Sequence, residues 1–221
     1  MSLFKKNRGH TDISDEKERN AEKAVEDMKN STEVIVKEQA GIFEAVSMII
    51  VEHILHMEAE GKLTDEEWYS VFGRKDILPV VLGEAYEYDV TNWSPEKIDE
   101  AIHNSLKTIR TDGAGAWAEG EGEERVEERE RWNINEEKFK EFVKGHIKVF
   151  ETGSKIIVFR MMYLYVTGKI SSEGADILLR SNVIRLLLGS AYIYGIGSMP
   201  VDIVDGYILK SLKKLLETKE P

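Results

Sequence analysis

The residues of this chain best suited to chemistry are three histidines and the acids near them. Glu100-Ala101-Ile102-His103 has the Glu-x-x-His spacing that carboxylate-bridged di-iron bundles use, because residues three apart project from one helix face. His53 and His56 lie near the apolar face of a predicted long helix, with Glu52 beside them. A metal site built from His53, His56, Glu100 and His103 is therefore stereochemically open. That chemistry asks for a second Glu-x-x-His from another helix, and the sequence has none. The reading of the residues favours histidines partnered to other side chains over metal ligands.

A second set of candidates consists of acids and tyrosines that occur twice. Glu44 and Glu151 each interrupt an apolar helix, and Asp99 and Asp205 are placed alike in later segments. Two such carboxylates brought together could exchange protons or hold a cation. Alternatively each could bond Lys107, Lys213 or the tyrosines Tyr86, Tyr88, Tyr192 and Tyr194 in a structural network, and this second role is the one expected. Other chemistries lack their signatures. Gly195-Ile196-Gly197-Ser198-Met199-Pro200 does not match the phosphate-binding Gly-x-x-x-x-Gly-Lys-Ser/Thr pattern, and Gly113-Ala114-Gly115 follows no strand. There is neither a Gly-x-Ser-x-Gly elbow nor a His-Glu-x-x-His pair. No cofactor is identified by any motif.

These candidates are paired because the chain repeats itself. Leu82-Gly83-Glu84-Ala85-Tyr86-Glu87-Tyr88 returns as Leu188-Gly189-Ser190-Ala191-Tyr192-Ile193-Tyr194, five of seven residues identical at an offset of 106. Downstream, Ser105-Leu106-Lys107 matches Ser211-Leu212-Lys213; upstream, at an offset of 107, Phe43-Glu44 matches Phe150-Glu151 and Ile49-Ile50-Val51 matches Ile156-Ile157-Val158. Internal repetition of this kind marks duplicated architecture. The expected fold is all-α, a tandem duplication of a four-helix unit with pseudo-twofold symmetry. The expected segments are a charged helical arm (1–32), unit one (33–110), an acidic linker (111–134) and unit two (135–221). At the positions of His53, His56 and His103, unit two has Arg160, Tyr163 and Leu209, which could not bind the same ion.

Within unit one, Asn30 and Glu33 predict the start of a long helix that runs to Glu60, with Ile35, Ile42, Phe43, Val46, Ile49, Ile50 and Ile54 at helical spacing. Gly61 should end it, and Thr64 with Glu67 forms a capping box for a short helix carrying Trp68, Val71 and Phe72. A third helix is predicted over 77–88, and Ser94-Pro95 opens a fourth. Unit two repeats this order, with helices expected near 136–167, 173–179, 183–194 and 200–216. Gly83 and Gly189 predict close helix packing at matching places. Trp117 and Trp132 should pin the linker to the body.

Composition limits the possible functions. Of 221 residues, 42% are hydrophobic and 32% charged, which is the profile of a soluble globular protein. No cysteine is present, which excludes a disulfide framework or a thiolate site and fits a cytoplasmic location. The longest uncharged run, 186–201, is too short and too rich in glycine to span a bilayer. The net charge of −11 is uneven: residues 33–110 carry sixteen acids against seven bases, whereas 135–215 carry eight acids against twelve bases. Acidity disfavours nucleic acid as a partner, despite Lys138, Lys140, Lys144, Lys148 and Lys155 on one helix. Opposite charge on two related units favours their docking or self-association. The expected function is a non-enzymatic interaction or regulatory protein acting through protein contacts, and the alternative is a metal- or small-ligand-binding protein with a His/Glu site in unit one.

Overall fold

A computed structural model describes residues 9–64, 67, 68, 71, 77–113 and 136–217 of the chain. Among them there is helix and turn but no strand, so the protein is all-α. The helices are α1 (Gly9–Ala59), α2 (Ile77–Tyr88), α3 (Pro95–Gly113), α4 (Glu136–Val166), α5 (Ser172–Leu178), α6 (Ser181–Ile193) and α7 (Val201–Glu217). Single 3-10 turns at Val90–Asn92 and Ile196–Ser198 join α2 to α3 and α6 to α7. Trp117, Trp132 and Phe72 lie outside the described residues, as does the linker beyond Gly113, where α3 ends.

The helix start expected at Asn30 is overrun. α1 is one helix of 51 residues. Thr32, two positions after Asn30, is accommodated within it: it is buried, donates its hydroxyl to the Met28 carbonyl at 2.8 Å and meets the Met162 sulfur of α4 at 3.5 Å. A buried polar residue satisfied inside the helix gives the chain no reason to break there.

The ends of α1 and α4 follow local chemistry. Gly61 (φ 68°) and Gly168 (φ 73°) adopt the left-handed conformation that only glycine reaches without cost. Each closes a Schellman pair: Gly61 N–H to Glu58 and Lys62 N–H to Met57, and Gly168 N–H to Tyr165 and Lys169 N–H to Leu164. The capping box is formed, with Thr64 N–H donating to Glu67 Oε2 at 2.9 Å and Glu67 N–H donating to Thr64 Oγ1 at 3.2 Å. In the second half Ser171 Oγ accepts from Gly174 N–H at 3.1 Å, capping α5.

Two antiparallel crossings hold the halves together. α1 and α4 meet where Phe43 stacks on Phe150, and their direction follows from Thr32 reaching Met162. α2 and α6 cross at glycines: a Cβ built on Gly83 would overlap the Ile193 side chain, and one on Gly189 would overlap Glu87. Glycine is accepted in these helix interiors because it lets the two backbones approach. One hydrophobic cluster takes in residues from Val36 to Leu212, including Leu82, Tyr86, Phe150 and Leu188, so both halves share a core. Among the described residues no helix is long and apolar enough to cross a membrane.

Candidate interaction surface

α4 has two apolar faces. One, carrying Phe139, Val143, Phe150, Ile157 and Leu164, is buried in the shared core. The other repeats every seven residues, as Phe142, Val149, Ile156 and Tyr163, and is exposed by 42%, 61%, 38% and 39%. Gly145 and Thr152 fall between these positions and are exposed as well. A seven-residue apolar repeat is the spacing with which one helix receives another. The positions matching Phe142, Val149 and Ile156 in the first half are Ile35, Ile42 and Ile49, and those are partly buried against the core.

Beside this face lies an apolar groove of about 410 Å³, floored by Phe150, Leu188 and Ala191 and walled by α4 and the 195–198 turn. Glycines shape it. Gly197 sits so close to Gly153 that any Cβ on it would overlap the Gly153 backbone, while a Cβ on Gly145 would meet nothing within 4 Å. At the matching positions 38, 46, 89 and 91 the first half has Glu, Val, Asp and Thr where the second has Gly145, Gly153, Gly195 and Gly197. Lys148 lines the groove, and Tyr192 reaches it from α6. Burial raises the Tyr192 hydroxyl pKa well above the usual tyrosine range and lowers that of its partner His146, whose Nδ1 is 2.8 Å away. That pair is therefore neutral, and Lys148 supplies the charge at this rim. Among the described residues, fourteen of the seventeen exposed large apolar side chains fall between Phe142 and Leu216, so apolar surface is concentrated in the second half. A groove of this kind suits an apolar helix face or chain with an acid to meet Lys148.

Asp99 and Asp205, two of the acids singled out by their repetition, each meet a nitrogen-bearing side chain of the long helix in their own half. Asp99 lies 2.8 Å from His53 Nδ1, and Asp205 accepts from Arg160 Nε at 2.8 Å and Nη2 at 2.7 Å. His53 and Arg160 hold matching positions, so each half joins its long helix to its last through a carboxylate and a side-chain nitrogen. The partners are not Lys107, Lys213 or the tyrosines. Arg160 holds the Asp205 carboxyl below the usual range; at Asp99 burial acts upward, but hydrogen bonds from His53 and Lys62 outweigh it. Tyr86 donates to Gln39 Oε1 at 2.6 Å, matching Tyr192 with His146. Glu151 pairs with Lys155 at 2.7 Å along α4, and Glu44 is exposed.

The histidines turn to different acids: His53 to Asp99, His56 to Glu60 at 3.1 Å and His103 to Glu67 at 3.5 Å. Glu52 and Glu100 are exposed. Lys62 stands between the two acids of the first pairs, 2.7 Å from Glu60 and 3.3 Å from Asp99, so these carboxylates already share a cation. Among the described residues no three His, Asp or Glu side chains converge as a metal ligand set.

Polar contacts also cross between the halves. Ser190 donates to Glu87 Oε1 at 2.7 Å, and Arg185 pairs with Asp89. Burial pushes the Glu87 carboxyl up, against the pull of Ser190. Asp89 adopts φ 52°, the left-handed backbone that Gly195 takes at the matching turn, and Asp is one of the few residues that accept it. Compared with protein-family models, curated proteins and solved structures, the chain finds no match.

Proposed function

We propose that the chain is a non-enzymatic interaction or regulatory protein, a tandem duplication of a four-helix unit whose second copy carries the contact surface. The observation that carries this reading is the exposed apolar face of α4 with its groove, since a contiguous apolar surface on a folded chain marks a place where another molecule binds. The lysines around it, Lys144 and Lys148, fit a protein partner with negative charge. A cytoplasmic location belongs to the same reading.

The duplication with pseudo-twofold symmetry is supported by contacts that come in equal pairs. Tyr86 with Phe150 and Tyr192 with Phe43 both have ring centroids 4.9 Å apart and planes at 69°. Phe43 with Tyr86 and Phe150 with Tyr192 differ by 0.2 Å, at 5.6 and 5.8 Å. An axis through the Phe43–Phe150 stack would exchange the members of each pair. Divergence between the copies then explains the surface: where one has Val46 and Thr91 the other has Gly153 and Gly197, and the groove opens there.

The test is a double variant, Val149→Glu with Ile156→Glu, expressed in the cells the chain comes from. Both side chains are exposed, so the fold should persist. Sedimentation of native complexes should show the parent in a particle larger than the chain and the variant shifted to lower mass. A parent that sediments as a lone chain would contradict the reading.

A further inference from the structure

The groove has an exposed helix of matching chemistry elsewhere in the same chain. Thr32 of α1 touches Met162, and α4 ends at Val166, so the part of α1 before Met28 runs past the end of its antiparallel neighbour. Along it Glu22, Lys23, Ala24, Val25, Glu26 and Asp27 are all exposed. A helical arm with six successive side chains in water is marginal by itself, because packing of an apolar face supplies most helix stability. Ala24 and Val25 give this arm a narrow apolar edge, flanked by Glu22, Glu26 and Asp27 against the single base Lys23. The groove offers the complement, an apolar floor with Lys148 on its rim and Lys144 one turn away.

The arm cannot fill the groove of its own chain. Phe150 lines the groove and stacks on Phe43, which places the groove level with Phe43 along α1. Val25 is eighteen residues earlier in one unbroken helix, about 27 Å away along the axis at 1.5 Å per residue. We propose that the groove between α4 and the 195–198 turn takes the α1 arm, around Glu22–Asp27, of a second copy of this chain. The inference rests on the protein-contact reading and names the partner. Val25 enters the apolar floor, and Glu22 and Glu26 face Lys144 and Lys148. Two copies exchanging arms form a closed twofold dimer, each giving one arm and receiving one.

Charge reversal separates this from other occupants. Two variants are needed, Glu22→Lys with Glu26→Lys on the arm and Lys144→Glu with Lys148→Glu at the groove; all four side chains are exposed, so folding is not at risk. Purified parent should sediment with twice the chain mass at micromolar concentration, and each variant alone should dimerise at least about tenfold more weakly. Carrying all four changes in one chain should restore the parent constant, because the charges oppose again. Cysteines placed at Val25 and Val149 should form a disulfide between chains. A monomeric parent, single variants that associate like the parent, or a dimer without the 25–149 cross-link would overturn the proposal. A monomeric parent whose groove still captures a different protein in cells would overturn it too, while leaving the protein-contact reading in place.

Discussion

Phe43 and Phe150 stack with their ring planes nearly parallel, centroids 4.1 Å apart and planes 7° apart, with both side chains buried. Aromatic quadrupoles ordinarily prefer an offset or edge-on approach. Tyr86 and Tyr192 each meet both rings edge-on, so each phenylalanine adds edge-to-face neighbours to its parallel partner. The crossing of the two longest helices is fixed at this point.

Replacing Phe43 or Phe150 with leucine keeps the site apolar and removes the stack. The double-mutant cycle should show coupling of about 0.5–1.5 kcal/mol by chemical denaturation, because the second replacement finds no ring left to lose. Strict additivity would mean that the stack is only area.

Two glycines should respond with opposite sign. Gly145→Ala places its methyl in open space inside a helix and should stabilise by about 0.4–1 kcal/mol. Gly197→Ala drives a methyl into the Gly153 backbone, which cannot rotate away, and should cost about 1–3 kcal/mol. Thermal melts of the two variants would check the order.

The Arg160–Asp205 pair makes a pH-dependent contribution. Its carboxyl titrates lower in the folded state than in the unfolded one, so its stabilisation is present above the unfolded value near 3.9 and is lost as pH falls through the folded one. Arg160→Leu should cost about 1.5–3 kcal/mol at pH 7, and the deficit should shrink as the solution is acidified below pH 4. A deficit unchanged by acid would place the loss in packing.

Glu87 should behave in the reverse manner. Burial raises its carboxyl pKa, so the folded state carries a penalty at neutral pH that disappears as pH falls through the folded value. Glu87→Gln keeps the contact with Ser190 without the charge. The variant should be more stable than the parent at pH 7 and equal to it near pH 4, as measured by urea unfolding at both.

Much of this fold could be read along the chain. The limits of α2 at Ile77 and Tyr88 and the Pro95 start of α3 follow from proline and apolar spacing, and Gly61 and the Thr64–Glu67 box act locally. The continuity of α1 through Asn30 could not, because Thr32 there packs against Met162, 130 positions away. Asp99 and Asp205 stand out by repetition, but their partners His53 and Arg160 come from another helix, and His53 by its sequence neighbours reads as a metal-ligand candidate. The groove escapes a reading of the sequence because Gly145 and Gly153 become an opening only when the 195–198 turn packs on α4. Its signal is Gly145, Gly153, Gly195 and Gly197, where positions 38, 46, 89 and 91 have Glu, Val, Asp and Thr.

The central claim, that the second half carries the contact surface, is tested most directly by placing a photoreactive residue at Val149 or at Tyr88 in the cells of origin. These positions are almost equally exposed, 61% and 63%, and lie in different halves. The account predicts discrete protein adducts from Val149 and few from Tyr88. Adducts of equal yield from both positions, or none from Val149, would contradict it.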